Sequence, residues 1–239
     1  MEKPERMNPD VPATTGAKAE RDDRPYVVRI RFARSGPAEY LGHLDMMRLF
    51  ERSLRRADIP LAYSQGYNPR PHLVFALPLG VGVAAESEIL DIETRGPFDP
   101  ALLGSKLAGV LPEGVSVGDA QAVRPTGKSI MGRVVEAVYR LSAPGIAEAA
   151  ARLEPMMEIP VEKRSKGAMR TLDIRPLLLG VEGTGQGDAV RFRVKAGSAD
   201  NVRPDLLLQA MVKYTGLDSA AAADAEIVRE QVILADVDG

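Results

Sequence analysis

L-G-H-L-D-M-M-R-L-F-E-R-S-L-R-R-A-D-I-P-L-A-Y-S-Q-G-Y-N-P-R-P-H-L-V-F-A-L-P-L, residues 41–79, reads as a helix, a polar loop and a strand in succession. The helix is expected over residues 42–58. Met47, Phe50, Leu54 and Ala57 recur there at three- and four-residue steps and make one apolar stripe for a core. Arg48, Arg52, Arg55 and Arg56 lie on its flank. Asp45 in the first turn and Arg55 and Arg56 in the last suit the helix dipole. Two readings of these charges stay open. One is a solvated face with matched ends. The other is a phosphate-facing ridge, because so many guanidinium groups on one flank exceed what dipole matching needs.

The loop over residues 63–72 is stiff and polar. Gly66 permits a backbone conformation that other residues resist, Asn68-Pro69 favours a turn, and Pro71 stiffens the exit. Around them stand Tyr63, Ser64, Gln65, Tyr67, Arg70 and His72. A stiff loop carrying phenols, a hydroxyl, an amide, a guanidinium and an imidazole beside a basic helix points to a binding surface. For Tyr63 and Tyr67 a second reading, as half-buried packing residues, is equally open.

Working outward, residues 26–33 alternate from Val28 on and predict a strand with Arg29 and Arg31 on its outer face. After the helix come strands over 73–77 and 87–93 around a Gly80–Ala85 bend. Asp99 and Pro100 start a short helix ending near 111, and 115–123 forms a strand. This β-α-β-β-α-β order is that of a ferredoxin-like unit. The pattern recurs: strand 134–141, helix 145–153, strands 170–174 and 189–195 paired across a glycine-rich hairpin at 180–187, helix 203–215 and strand 226–234. The fold expected is therefore α+β, with two tandem ferredoxin-like units at 25–124 and 133–236, a linker at 125–132, and a disordered tail at 1–24. The absence of parallel-sheet spacing argues against a Rossmann fold.

Composition narrows the chemistry. The 239 residues carry a formal charge of −2, so the whole molecule is not a nucleic-acid magnet. Charge is uneven along the chain, however. Residues 26–72 hold eight arginines against four acids, whereas residues 218–239 hold six acids and one arginine. There is no cysteine, which excludes disulfides, thiolate nucleophiles and a Cys-ligated iron–sulfur cluster in this chain. With two histidines, His43 and His72, a His-rich zinc site is not expected either. No Walker loop or dinucleotide fingerprint occurs, and no cofactor is expected. No signal peptide or membrane-length apolar run is apparent, so a cytoplasmic protein is expected.

A second motif lies at Lys163-Arg164-Ser165-Lys166-Gly167, continued by Arg170 and Arg175, with Glu162 and Asp173 as the nearby acids. It reads either as a flexible basic loop that clamps backbone phosphates or as an ordinary solvated loop in which Asp173 and Arg175 pair. The runs G-H-L-D (42–45), R-x-x-x-R-x-x-R-R (48–56), I-P-L-A-Y-S-Q-G-Y-N-P-R-P (59–71), F-A-L-P-L-G-V-G (75–82) and E-K-R-S-K-G-A-M-R-T-L-D-I-R-P (162–176) together resemble the prokaryotic radical-SAM-linked family, over residues 26–235. Many relatives carry serine where this chain has Gly42, which argues against a hydroxyl role there. The resemblance implies a radical SAM protein as partner and supplies no reaction.

Three functions are weighed. The first is a non-catalytic partner that holds RNA or another phosphate-bearing substrate through His43, Asp45, Arg48, Arg52, Arg55, Arg56, the Ser64-Gln65-Gly66-Tyr67-Asn68-Pro69-Arg70 run, Lys163, Arg164, Lys166, Arg170 and Arg175. The second is a protein–protein scaffold docking the radical SAM enzyme. The third is a metal-independent RNA endonuclease, by fold-level analogy with the repeat-processing nucleases of CRISPR systems, using His43, Tyr63 or Tyr67, and Arg70. The first requires the two basic surfaces to face one shared cleft.

Overall fold

Val28, Ile30, Phe32 and Arg34 all point to the same side of strand β1 (Tyr26–Arg34), and all four are buried. The computed structural model describes residues 25–236 apart from 126, 166, 186, 187 and 199. The expected tail at 1–24 and Lys166 of the second motif thus lie outside the described residues. After β1 the chain forms helix α1 (His43–Arg56), strands β2 (Leu73–Phe75) and β3 (Ala84–Thr94), helix α2 (Ala101–Leu107) and strand β4 (Val115–Val123). The second half runs β5 (Val134–Ser142), α3 (Ile146–Leu153), β6 (Pro160–Ser165), β7 (Ala168–Asp173), β8 (Leu178–Gly183), β9 (Ala189–Lys195), α4 (Pro204–Thr215), α5 (Ser219–Ala223) and β10 (Glu226–Leu234).

The fold is mixed α+β, built on one mostly antiparallel sheet in the order β4-β1-β3-β10-β5-β9-β8, with β2 also pairing with β3. Strand β3 has β1 along one edge. Its other edge is shared end to end, β2 pairing at Leu90–Ile92 and β10 at Ala84 and Ala85. The β3–β10 pairing is parallel and involves only Val228↔Ala84 and Arg229↔Ala85. It joins the halves of the chain.

Two apolar clusters fill the molecule. In the first half, Phe50 and Leu54 of α1 and Leu103 and Leu107 of α2 pack on Ile30, Phe32, Leu90 and Ile92. Phe32, Phe50 and Phe75 meet edge to face with ring centroids 5.0–5.7 Å apart, an arrangement worth more than area burial alone. The buried face of α1 is Met46, Leu49, Phe50, Ser53, Leu54 and Ala57, with Met47 only half-buried, so the stripe sits slightly round from its expected position. In the second half, α3 and α4 cover Leu141, Phe192 and Val194. Gly216, at φ 78°, ends α4 in the left-handed region that side chains resist.

Two expectations about the second half are corrected. Residues 170–174 do not pair with 189–195: β7 pairs with β6, and β9 pairs with β8. Pro176 and the short 3-10 turn at Arg175–Leu177 break the chain there, and Leu178 begins a new strand. Lys163, Arg164 and Arg170 therefore lie on the paired strands of a hairpin and not on a flexible loop. Nor do Asp173 and Arg175 pair through their side chains, since Asp173 Oδ1 accepts from the main-chain N–H groups of Ile159 (2.7 Å) and Arg175 (3.0 Å).

The joint is held by charge as well as by main-chain pairing. Arg229 of β10 and Glu88 of β3 are each 2% exposed and form a double hydrogen bond, with Nε to Oε1 at 2.6 Å. Arg229 also donates to the Leu77 carbonyl. Burial works against its charge, but the Glu88 carboxylate outweighs it and holds the guanidinium well above the ordinary arginine range. Beside it, Arg34 is 1% exposed and donates to the carbonyls of Val83 (2.9 Å), Leu41 (3.0 Å) and Gly80. Burial pulls Arg34 below its ordinary range, Glu88 opposes that shift, and Arg229 adds to it.

Removing one member of a buried ion pair leaves the other uncompensated, at a cost of about 3–5 kcal/mol. Glu88→Gln and Arg229→Ala should each lower the unfolding free energy in urea by about that amount. The double variant Glu88→Leu/Arg229→Met should recover most of the loss. Full additivity of the two single losses would contradict this account of the joint.

Candidate anion-binding surface

Helix α1 presents Arg48, Arg52, Arg55 and Arg56 to solvent, opposite its buried face. Arg52 and Arg55 are steered by their own helix, each donating through Nε to the carbonyl four residues back, Arg48 O at 3.2 Å and Glu51 O at 3.1 Å. Those bonds leave the terminal amino groups available. Arg48 meets Asp45 at 3.4 Å, with both side chains more than half exposed, a pairing worth a few tenths of a kcal/mol at most. Gly42 caps the helix without a side-chain bond. His43 opens the helix, and its ring packs edge-on against Phe75 at 5.4 Å.

The 63–71 segment is a braced arm. Tyr63 bridges to Pro71, Ser64 N–H donates to Arg70 O at 2.9 Å, and Arg70 N–H donates to Ser64 Oγ at 3.0 Å. At its base, His72 N–H bonds Ala62 O, and Glu93 N–H bonds His72 O, both at 3.0 Å. Gly66, at φ 134°, makes the turn. Gln65, Gly66, Tyr67, Asn68, Pro69 and Arg70 are exposed, and Tyr67 is 99% exposed. The two tyrosines part company here. Tyr63 is half-buried, with the Arg95 guanidinium 5.4 Å over its ring. Tyr67 stands free at the tip.

The second basic group lies on the β6–β7 hairpin, which is tied to α4 by Glu162 N–H to Gln209 Oε1 (2.9 Å) and Tyr214 O–H to Pro160 O (2.7 Å). Lys163 and Arg170 stand directly opposite each other across the strands. Like charges so placed repel. Lys163 Nζ reaches Asn201 O at 3.4 Å, Arg164 and Arg170 are exposed, and Arg175 donates to Leu178 O at 3.3 Å.

Arginines on the helix-free face of the sheet are arranged differently. Arg29 is paired with Asp91 at 2.7 Å, Arg193 with Glu136 at 2.6 Å, and Arg140 and Arg191 share Glu230 at 3.1 and 2.5 Å. The Arg191 hydrogen bond holds the Glu230 carboxyl below its ordinary range, against the opposing effect of burial.

The two basic groups sit on different halves of the sheet. Neither lines the cavities on the helix-free face, beside residues 127–133 or at the joint, so none of these cavities is the shared cleft expected between them and each surface would meet an anion on its own. Each is nonetheless connected to the joint. Lys163 holds Asn201, which borders a cavity of about 290 Å³ there, and Arg34 holds Gly80, which borders the same cavity. His43, Tyr63 and Tyr67 have separate surroundings: a phenylalanine ring, a guanidinium and open solvent. Among the described residues no cluster of His, Asp and Glu is arranged to hold a metal ion, and no helix is long and apolar enough to cross a membrane.

Arg34, Glu88 and Arg229 did not stand out as a group in the sequence. The signal for two of them was present, since Arg34 follows Ile30 and Phe32 at two-residue steps and Glu88 precedes Leu90 and Ile92 in the same way.

One family model, described as an uncharacterized protein conserved in bacteria (DUF2344), matches residues 28–204. No curated protein matches the chain.

Two predictions follow from these bonds. Ser64→Ala removes the acceptor for the Arg70 amide, and a lost hydrogen bond of about 0.5–1.5 kcal/mol should speed hydrogen exchange at that amide roughly two- to tenfold without moving global unfolding. Glu230, with its lowered pKa, contributes stability above the ordinary carboxylate range and loses it as pH falls through its folded pKa. The destabilisation caused by Glu230→Gln should therefore shrink in melts taken below about pH 4.3. A penalty that does not change with pH would contradict this reading of Glu230.

Proposed function

The chain belongs to the bacterial DUF2344 family, and on that premise we propose that it is a non-catalytic partner that holds RNA or another phosphate-bearing substrate for a radical SAM enzyme. The observation that carries the reading is the contrast between two sets of arginines. On the helix-free sheet face Arg29, Arg140, Arg191 and Arg193 have carboxylate partners, and Arg31 donates to Ser87 Oγ at 2.9 Å. The α1 set is exposed, and among the described residues only Arg48 of that set meets an acid, weakly. Exposed guanidinium groups steered by their own helix and left without counter-charge suit phosphate contacts, which fix a polyanion in place and carry no sequence information.

Three features support it. The arm adds Arg70 and the exposed Tyr67 ring, a flat surface on which an unpaired base stacks. The opposed Lys163 and Arg170 are relieved of mutual repulsion when an anion lies between them. His43, packed on Phe75, has the surroundings of a packing residue rather than of an acid–base catalyst.

The architecture proposed for this role is a pair of ferredoxin-like units, 25–124 and 133–236, fused along one sheet. Support comes from strand order: β4-β1-β3 with β2 outermost in one half, and β10-β5-β9-β8 in the other, the same arrangement twice with the β6–β7 hairpin inserted in the second. Residues 125–132 link them. The radical SAM partner rests on the resemblance of the sequence motifs.

The test is binding of a labelled single-stranded RNA at several salt concentrations. Each phosphate contact contributes a slope of about −0.7 in log K against log salt. The variant Arg48→Gln/Arg52→Gln/Arg55→Gln/Arg56→Gln should flatten the slope by roughly 2–3 and weaken binding at least tenfold at low salt. An unchanged slope would remove α1 as the contact surface. Crosslinking in cells supplies the second arm. Recovery of the radical SAM enzyme without RNA would favour a protein–protein scaffold instead.

A further inference from the structure

The joint between the halves contains a cavity of about 290 Å³, at the lower end for a small-molecule site. Its walls are the bend from Leu77 to Val83, the ring of Tyr139, and the approach to α4 through Asn201 and Arg203. These walls are mainly apolar, yet the charges around them are mostly positive. Arg229 lines the cavity, and Arg34 lies directly behind the bend, bonded to the Gly80 and Val83 carbonyls that form it. Glu88 is the one fully buried carboxylate between these two guanidinium groups. Glu39, half-buried and bonded to Gly36 N–H, influences Arg34 least. At the rim, Arg203 faces Asp205 at 2.7 Å with both more than half exposed, and Lys163 lies against Asn201.

Two further features point the same way. Helix α4, twelve residues long, begins at this cavity with no side-chain cap on its N-terminal N–H groups, and the one acid of its first turn, Asp205, is drawn to Arg203. The Oδ1 atom of Asn201 is buried without a hydrogen-bond donor. Whichever way that amide is turned, one edge of it lacks a partner, and a buried polar group left so costs about 1–3 kcal/mol.

We propose that this cavity binds a small organic anion, a carboxylate or phosphate monoester carried on an apolar body. The body occupies the space between Leu77, Val81, Tyr139 and Ile227, and the anionic group takes Arg203 from Asp205, an exchange that costs little because that exposed pair is weak. The site is separate from the exposed arginines of α1, and neither reading needs the other. An anion seated here also answers the excess positive charge of Arg34 and Arg229 over Glu88, so its binding couples to the stability of the joint.

The test is a thermal-shift titration of the full chain with four probes: phenyl phosphate, benzoate, benzyl alcohol and inorganic phosphate. A ligand that binds only the folded state raises the melting temperature with saturation. At least one of the two aromatic anions should do so, while benzyl alcohol of similar size should not. Arg203→Gln should weaken the effect about tenfold. Val81→Trp, a change at a 63% exposed position on the cavity wall, should abolish it by filling the mouth without disturbing either core. No shift with either aromatic anion overturns the proposal, as does an effect that survives both substitutions. An equal response to inorganic phosphate would assign the anion to the α1 arginines and also overturn it. Equal response to benzyl alcohol would show apolar occupancy without charge recognition, with the same consequence.

Discussion

A single buried ion pair, Arg229 with Glu88, sits at the joint between the two halves of the chain. The main-chain connection between β3 and β10 consists of two residue pairs, too little to orient two four-stranded halves against each other. Ala76 and Ile89 packed into the core of the second half, the Arg140–Glu86 pair at 3.1 Å and the buried Arg229–Glu88 bond supply the rest. The Arg229–Glu88 bond is fixed in direction by a two-pronged geometry, and the Leu77 carbonyl holds a guanidinium prong as well. The energetic return of such a pair over a well-packed apolar substitute is small, because desolvation consumes most of the Coulomb attraction. Its value is in alignment. A leucine–methionine contact at this point would tolerate sliding, whereas a bidentate pair tolerates very little.

Arg34 extends the same logic to the helix-bearing layer. By donating to three carbonyls drawn from the end of the 3-10 turn before α1 and from the bend before β3, it fastens the entry of α1 to the strand that carries Glu88. The placement of α1, and with it the direction in which Arg48, Arg52, Arg55 and Arg56 project, is therefore mechanically continuous with the joint.

Much of the fold was legible because its strands and helices obey simple periods. The step of two in β1 and the start and stop of α4 at Pro204 and Gly216 placed those elements within a residue or two of where they stand. The hairpin β6–β7 was not legible. Pro160, Glu162, Lys163, Arg164 and Ser165 carry no apolar alternation, and the strand exists because Ile159, Val161 and Ile174 anchor its ends in the core. Tertiary anchoring of that kind leaves no local period. The pairing of β8 with β9 was hidden for a related reason: Leu177, Leu178 and Leu179 make an apolar run that periodicity alone cannot assign.

At the surface, sequence gave residue types but not their partners. Eight arginines within residues 26–72 looked alike, yet they fall into three physical kinds. Arg34 is buried on carbonyls, Arg29 and Arg31 are matched across the sheet to Asp91 and Ser87, and the α1 set and Arg70 are exposed with almost no counter-charge. Only the third kind is free to meet a ligand without first breaking a bond. Charge density along a sequence is thus a poor guide to anion binding, and the useful quantity is charge left over once every carboxylate and carbonyl within reach has been assigned. By that measure the flank of α1 and Arg170, which stands opposite a Lys163 already bonded to the Asn201 carbonyl, are the surfaces with charge to spare. The sheet face, though equally rich in arginine, has its own matched to Asp91, Glu136 and Glu230, with Arg31 on the Ser87 hydroxyl.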